Sequence, residues 1–218
     1  MNKIKTIDEV MEFIKDGQTI MFGGFLAVGT AENIVDAIVK KGVKDLTIIC
    51  NDTAFVDKGV GKLVANKQVK KVIVSHIGTN PETGRQMNAG EIEVELVPQG
   101  TLAERIRAYG AGLGGVLTPT GLGTVVEEGK TIIEVDGKKY LLEKPLKADV
   151  AIIKGSKVDK KGNVWYSKTT RNFNPIMAMA ADLVIVEAEE IVEVGEIEPE
   201  NVVTPHILVD YIVKGGER

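Results

Sequence analysis

Gln18-Thr19-Ile20-Met21-Phe22 reads as a β-strand, Gly23-Gly24-Phe25 breaks it, and a helix from about Ala31 to Lys41 ends at Gly42. Leu46-Thr47-Ile48-Ile49-Cys50 follows as a nearly continuous apolar run, the pattern of a strand buried on both faces of a parallel sheet. Val72-Ile73-Val74, Val150-Ala151-Ile152-Ile153 and Leu183-Val184-Ile185-Val186 repeat it, with helical segments between them, clearest at Leu102-Ala103-Glu104-Arg105-Ile106-Arg107. That alternation implies right-handed crossovers and an α/β fold, a mostly parallel sheet covered by helices. Upstream, Thr6-Ile7-Asp8-Glu9 has the form of a capping box opening a helix with Val10, Phe13 and Ile14 at helical spacing, which Asp16-Gly17 stops.

Two hairpins interrupt the alternation. Thr131 to Val135 and Lys138 to Leu142 flank Asp136-Gly137, a strong signal for a two-residue turn. Lys160-Lys161-Gly162-Asn163 leads into Val164-Trp165-Tyr166 in the same way. Both are expected as antiparallel additions to the core sheet. No Pro- or Ser-rich linker and no internal repeat divides the chain, so residues 1–218 are expected to form a single domain.

Composition excludes several function classes. Hydrophobic residues at 44% and charged residues at 27% are ordinary for a globular chain. A chain of this length buries roughly 70% of its unfolded surface and needs neither disulfides nor metals to fold. The longest apolar runs fall far short of the roughly 18 residues that span a membrane. Met1-Asn2-Lys3-Ile4-Lys5 leads into acidic Asp8-Glu9, which is not a signal-peptide pattern. A cytoplasmic protein without membrane attachment is expected. One cysteine, Cys50, and two histidines, His76 and His206, make a metal cluster or a Cys/His nucleophile pair a poor expectation. A net charge of −4 and 5% aromatics argue against nucleic acid as a partner. Glycine is the outlier, 24 of 218 residues or about 11%, against an average near 7%. Such an excess marks tight turns or backbone lying close to a ligand.

Four segments are candidates for chemistry. The first is Asp16 to Ala31, where a strand delivers a glycine-rich loop to a helix start. Unpaired N–H groups there suit an anion, but the loop is neither a Rossmann nor a Walker motif, and a tight connection is the other reading. The second is Asn51-Asp52-Thr53, beyond the carboxyl end of a buried strand, where open α/β sheets bind ligands; these side chains equally serve to cap the next turn. The third is Pro98-Gln99-Gly100-Thr101, between Val94–Val97 and a helix, where the Gln99 amide either holds a carboxylate or acyl oxygen or is an ordinary loop residue. The fourth, Gly110-Ala111-Gly112-Leu113-Gly114-Gly115 with Thr118-Pro119-Thr120-Gly121-Leu122-Gly123, suggests a loop pressed against a ligand or another subunit. Elsewhere, Glu91, Glu93 and Glu95 alternate with Ile92, Val94 and Leu96 as a solvated strand face. Glu187 to Glu200 reads as another solvated face, and Arg105 and Arg107 as salt-pairing residues. His76 is a possible acid or base with nothing near it in sequence to mark it as one.

Taken together the segments resemble the alpha subunits of family I CoA-transferases, the acetate or butyrate:acetoacetate type in particular. Asp16 to Gly29 is similar to the family signature, with an acidic-Gly start, three apolar residues, Gly-Gly-Phe and a Gly four residues on. Asn51-Asp52-Thr53, Ile77-Gly78-Thr79-Asn80-Pro81, Glu95 to Arg107, Thr118-Pro119-Thr120-Gly121 and Arg171-Asn172-Phe173-Asn174-Pro175 are similar as well, in the expected order over nearly the whole chain. Ala31 departs from the pattern, where the family usually has Pro; a Pro there would pre-set the first helical turn.

The resemblance implies the CoA-transferase (isomerase-like) fold and a division of labour. In that family a glutamate of the beta subunit attacks the donor thioester, passing through an acyl–enzyme anhydride to a glutamyl-CoA thioester. It sits there in a Glu-Asn-Gly-like or Glu-x-Gly setting, and neither Glu-Asn pair of this chain matches, since Ile34 follows Glu32-Asn33 and Val202 follows Glu200-Asn201. This chain is then expected to contribute the Asn51 backbone N–H as oxyanion donor and the Gln99 amide as the group orienting the partner's glutamate. Gly23, Gly24, Phe25, Leu26, Ala27, Val28, Gly29 and Thr30 are expected to lie along coenzyme A, which is a substrate and not a resident cofactor. The implied partners are a beta subunit in an α2β2 assembly, acyl-CoA and short-chain carboxylates. A phosphate-ligand sensor, a sugar-phosphate isomerase and a nucleotide-binding scaffold are the competing readings, since fold alone does not fix function. A sensor is expected to carry an output domain, for which 218 residues leave no room; an isomerase needs its own acid–base set; a nucleotide scaffold lacks its motif.

Overall fold

Ile20 and Phe22 face one side of the sheet and Met21 the other; Ile48 and Ile49 divide in the same way, as do Ile152 and Ile153. That period of two, apolar on both faces, requires helices on both. In the computed structural model, which describes residues 2–216, they are present. Met1, Glu217 and Arg218 lie outside the described residues, so the reading of Met1 and of the ends of a 1–218 domain falls there in part.

The elements run β1 (Ile4–Lys5), α1 (Ile7–Met11), β2 (Thr19–Phe22), α2 (Glu32–Lys41), β3 (Leu46–Ile49), α3 (Gly61–Ala65), β4 (Val69–Val74), α4 (Pro81–Asn88), β5 (Glu93–Leu96) and α5 (Gln99–Gly110). They continue as β6 (Val116–Thr118), β7 (Thr131–Val135), β8 (Lys138–Glu143), β9 (Ala148–Asp159), β10 (Val164–Trp165), α6 (Asn174–Met177), β11 (Ala181–Val192) and β12 (Tyr211–Lys214). The main sheet has the order β1-β12-β11-β9-β2-β3-β4-β5 with every pair parallel, and β10 adds antiparallel to β9. From β2 the chain steps outward through β3, β4 and β5; from β9 it steps outward the other way. The reversal between neighbouring β2 and β9 is a topological switch point, where the connections leave a crevice beyond the strand ends. β9 also runs on past the end of β2, since Phe22 pairs with Ile152, and so walls that crevice.

Several local expectations hold. Thr6 and Glu9 form the capping box, although α1 ends at Met11 and Phe13 and Ile14 follow in bonds to Val10 and Met11, three residues back. α2 ends at Gly42, which adopts φ +74°. Ala31 caps its start at φ −76°, a value proline would impose, so the departure at that position leaves the backbone unchanged.

Two expectations do not hold. The Asp136-Gly137 hairpin forms, but β7 and β8 join β6 in a separate three-stranded antiparallel sheet instead of extending the core. β7 is mostly exposed, and the fully buried Leu141 of β8 lies next to Gly121, in the connection that follows β6. The acidic stretch from Glu187 is not uniformly solvated. Exposed Glu189, Glu190 and Glu193 pair with Lys154, which is buried, and with the exposed Lys157 and Lys160. Glu187 is buried, and accepts from the Ile34 N–H at 3.0 Å and Asn33 Nδ2 at 3.3 Å. It serves as the cap that Ala31 lacks, a carboxylate at the positive end of α2.

Arg105 joins the two sheets. It donates to Glu95 (2.9 Å) and to the Lys144 carbonyl (2.8 Å), and lies 3.9 Å from Glu143, which also meets Lys130 at 2.5 Å. It is therefore salt-paired as expected but mostly buried, while Arg107 pairs with Glu104 at the surface. Burial pushes the Glu95 carboxyl up, but Arg105 and Lys71 outweigh it and hold its pKa below the ordinary value. Arg105→Ala removes the guanidinium that Glu95 and, more distantly, Glu143 share, while each keeps a lysine, and a stability loss of about 1.5–3 kcal/mol is expected. A depressed carboxyl stabilises the fold above its unfolded pKa and ceases to do so as pH falls through the folded value. The deficit of the variant in urea unfolding should thus be full at pH 7 and shrink below about pH 4; a deficit independent of pH would show that Glu95 takes no part.

Candidate active site

The crevice is floored by the loop after β2. The Gly23 N–H donates to the Ile152 carbonyl at 3.0 Å, and the chain then leaves the sheet. Phe25 and Val28 exchange backbone hydrogen bonds of 3.0 and 2.9 Å around Leu26 and Ala27. Both central residues have positive φ, +48° and +66°, as a type I′ turn demands, and neither is glycine or asparagine. Each such residue costs on the order of 1–2 kcal/mol, so surrounding groups must hold the turn. Leu26 to Thr30 line a cleft of about 640 Å³ with Lys58, Lys154 and Glu189 on its walls.

The glycines of this loop make room for the protein's own side chains. A Cβ on Gly23 would lie 1.7 Å from Asn174 Oδ1, and one on Gly24, at φ +134°, would lie 2.1 Å from Thr30 Oγ1. Gly23, Gly24 and Thr30 are buried, and the Thr30 hydroxyl donates to the Gly23 carbonyl at 3.2 Å. Phe25, Leu26, Ala27, Val28 and Gly29 remain accessible. Of the eight residues expected along a ligand, Leu26 to Thr30 line the cleft and Phe25 is exposed next to them in the chain.

β3 delivers the second group. Ser75 N–H and Oγ both donate to the Asn51 carbonyl, at 2.9 and 2.8 Å, and Oγ also reaches Asn51 Oδ1 at 3.0 Å. Gln99, at the first position of α5, donates from Nε2 to the same Oδ1 at 2.7 Å. The two residues singled out separately, 48 positions apart, thus meet. Asn51 lies beyond the end of β3, and among the described residues its N–H donates no hydrogen bond. Its neighbour Asp52 is saturated: Oδ1 accepts the Ala54 N–H at 2.8 Å, and Oδ2 accepts the Leu26 N–H at 3.0 Å and Asn51 Nδ2 at 2.7 Å. Asp52 therefore takes the turn-capping role that sequence left open between it and Asn51. Thr53 is fully buried and bonds to Thr83.

Other candidates fall outside this set. Burial and then the Asp52 charge push the Cys50 thiol well above its ordinary range, so it stays protonated. His76 is exposed beside the site. In the fourth glycine-rich segment, Gly110 packs on Met179, Gly115 on the Glu143 carbonyl and Gly121 on Val126, all within the chain. A second hollow of about 560 Å³ lies between α5 and β6, lined by Gly100, Thr101, Glu104, Leu117, Thr118 and Thr120. Sequence reasoning missed Ser75 altogether and quoted Asn172 and Asn174 without a role. Their partners lie across the fold, and only the likeness of the Arg171 to Pro175 motif pointed to the last two.

A family model described as coenzyme A transferase matches residues 4–215. The acetate CoA-transferase subunit alpha of Escherichia coli strain K12 is 55% identical over 215 residues, covering 99% of this chain and 98% of that one. The acetoacetyl-CoA:acetate/butyrate CoA transferase alpha subunit of Clostridium acetobutylicum is 57% identical over 213 residues, 98% of each. Among solved structures, an acyl-CoA transferase of E. coli O157:H7 in a thioester complex with CoA superposes with a TM-score of 0.87 at 22% identity. That match covers 98% of this chain, which spans about half (47%) of the longer enzyme. Glutaconate coenzyme A-transferase of Acidaminococcus fermentans superposes with a TM-score of 0.86 at 21% identity, covering 97% of this chain and 75% of that one.

Proposed function

This chain belongs to the coenzyme A transferase family, and on that premise we propose that it is the alpha subunit of a two-subunit enzyme exchanging CoA between acetoacetyl-CoA and acetate or butyrate. The observation that carries the reading is that Gln99 donates to the side chain of Asn51, whose own backbone N–H is undonated among the described residues, beside a carboxylate, Asp52, that already accepts from three donors. Beside that N–H the Ser75 hydroxyl is committed to Asn51 and the Asp52 carboxylate to its three donors, so the nucleophile is supplied from elsewhere. A glutamate from a beta subunit completes the chemistry. Its carboxylate attacks the thioester carbonyl, and negative charge develops on the oxygen at the Asn51 N–H. The C–S bond then breaks, leaving a mixed anhydride and the CoA thiolate. The thiolate attacks the glutamyl carbonyl and releases the donor acid as its carboxylate; the acceptor carboxylate takes the CoA by the reverse steps. One well-placed donor to such an oxygen is worth about 2.7–4 kcal/mol.

Within this reading coenzyme A is a substrate lying along the Gly23 to Thr30 loop, of which Leu26 to Thr30 line the cleft. Residues 1–218 act as one unit in an α2β2 enzyme of the cytoplasm. A cleft closed between two different subunits also keeps water from the anhydride. The test is transfer from acetoacetyl-CoA to acetate by the chain alone and by the chain co-purified with a beta subunit. Activity in the complex only is expected. Activity in the chain alone would place the nucleophile here and overturn the division of labour, and a formed complex inactive with acetoacetyl-CoA would overturn the substrate assignment.

A further inference from the structure

The Arg171-Asn172-Phe173-Asn174-Pro175 segment has no part in the chemistry above, yet it grips the turn that floors the cleft. Asn172 Oδ1 accepts the Gly24 N–H at 3.1 Å, and its Nδ2 donates to the Val28 carbonyl at 2.9 Å. The two bonds lie at the two ends of the Phe25–Val28 hairpin, so one side chain bridges the turn as an extra rung. An amide supplies an acceptor and a donor on two separate atoms, as bridging the two ends of the turn requires. From the opposite side Asp52 accepts the N–H of Leu26, the first left-handed residue, and with the same oxygen accepts Asn51 Nδ2.

We propose that Asn172 and Asp52 are positioning residues that hold the Leu26-Ala27 turn in its left-handed form, and that Asp52 couples this turn to Asn51. The inference rests on the CoA-transfer reading. Without Asn172 the turn loses its link across Gly24 and Val28, and nothing in its own sequence favours positive φ. Asp52 is matched to three donors, and an asparagine of the same shape presents one oxygen and one NH2 group, so an N–H must face another N–H. Asn174, fully buried and bonded to the Gly29 carbonyl and the Lys154 N–H, anchors the same segment from below. The chain Asn172–turn–Asp52–Asn51–Gln99 runs unbroken across the crevice.

The test uses the assembled enzyme with its beta subunit. Asn172→Ala is expected to raise KM for acetoacetyl-CoA about tenfold, with kcat within about threefold and KM for acetate unchanged, as for loss of a binding surface outside the reacting atoms. Asp52→Asn is expected to raise that KM and also lower kcat about tenfold, because Asn51 loses its partner. Amide hydrogen exchange in Asn172→Ala should accelerate at Leu26 to Gly29 while β2 and β3 keep their protection. Unchanged KM for acetoacetyl-CoA in both variants, or exchange that quickens equally in β2 and β3, would overturn the proposal. If the wild-type complex shows no CoA transfer, the functional reading fails, and exchange at Leu26 to Gly29 still decides the clamp by itself.

Discussion

Replacing Gln99 with alanine is expected to lower kcat of the assembled enzyme about a hundredfold, at the lower end of the cost of losing one oxyanion donor. Gln99 stands one bond away from that donor. Its Nε2 fixes Asn51 Oδ1 at 2.7 Å, while Ser75 holds the same oxygen and the carbonyl of the residue. Removing Gln99 leaves the peptide in place but takes away one of the three residues, with Ser75 and Asp52, that hold Asn51, and removes the amide proposed to orient the partner's glutamate. Gln99 is exposed at the first turn of α5, so truncation opens no core cavity, and stability should change by less than about 0.5 kcal/mol. Gln99→Glu keeps the shape and replaces the donor with a second acceptor facing Asn51 Oδ1, so it should be at least as damaging. The measurement is kcat with acetoacetyl-CoA and acetate at equal complex concentration. Turnover within about twofold of wild type in an intact complex would remove Gln99 from the machinery.

Gly24→Val is expected to be the most damaging change in the loop, lowering stability by about 2–6 kcal/mol. That range sums a non-glycine residue held outside its favoured φ, about 1–3 kcal/mol, and overpacking of a closed site, about 1–3 kcal/mol. The φ of +134° and the 2.1 Å approach of a Cβ to Thr30 Oγ1 are separate causes, and they can be separated by experiment. In Gly24→Ala combined with Thr30→Ala the clash with the hydroxyl is gone and the backbone strain remains. The pair should recover part of the loss of Gly24→Ala and not all of it, read as the shift in urea midpoint. Where the valine variant still assembles, its KM for acetoacetyl-CoA should rise, since the Phe25–Val28 turn is displaced. Wild-type stability together with wild-type KM would mean that the loop is not held as described.

The glycine count pointed to this loop, but the reason for the glycines changed once the fold was known. In sequence, Gly23 and Gly24 suggest backbone bared to a ligand; in the structure their missing side chains make room for Asn174 and Thr30. Glu187 shows the same limit. It opens an acidic stretch and reads with it as solvated, yet it is buried because its carboxylate meets the start of α2. The Asp136-Gly137 turn was legible because a two-residue hairpin is fixed by its own φ requirements. Which sheet that hairpin joins was not, because sheet membership depends on where a ribbon finds an apolar surface.

Sequence alone determined what is local or periodic. The order of strands and helices, the capping box at Thr6, the stop at Gly42 and the burial of β3, β9 and β11 follow from side-chain period and turn chemistry within a few residues. Its motifs also marked Asn51 and Gln99. Tertiary structure alone decided that β2 lies beside β9, about 130 residues later in the chain. That neighbourhood places the switch point at Gly23 and brings Asn172 to Gly24 across 148 positions. Hydrogen bonds of that span leave no trace in local composition, because the geometry that makes them exists only after the sheet has chosen its strand order.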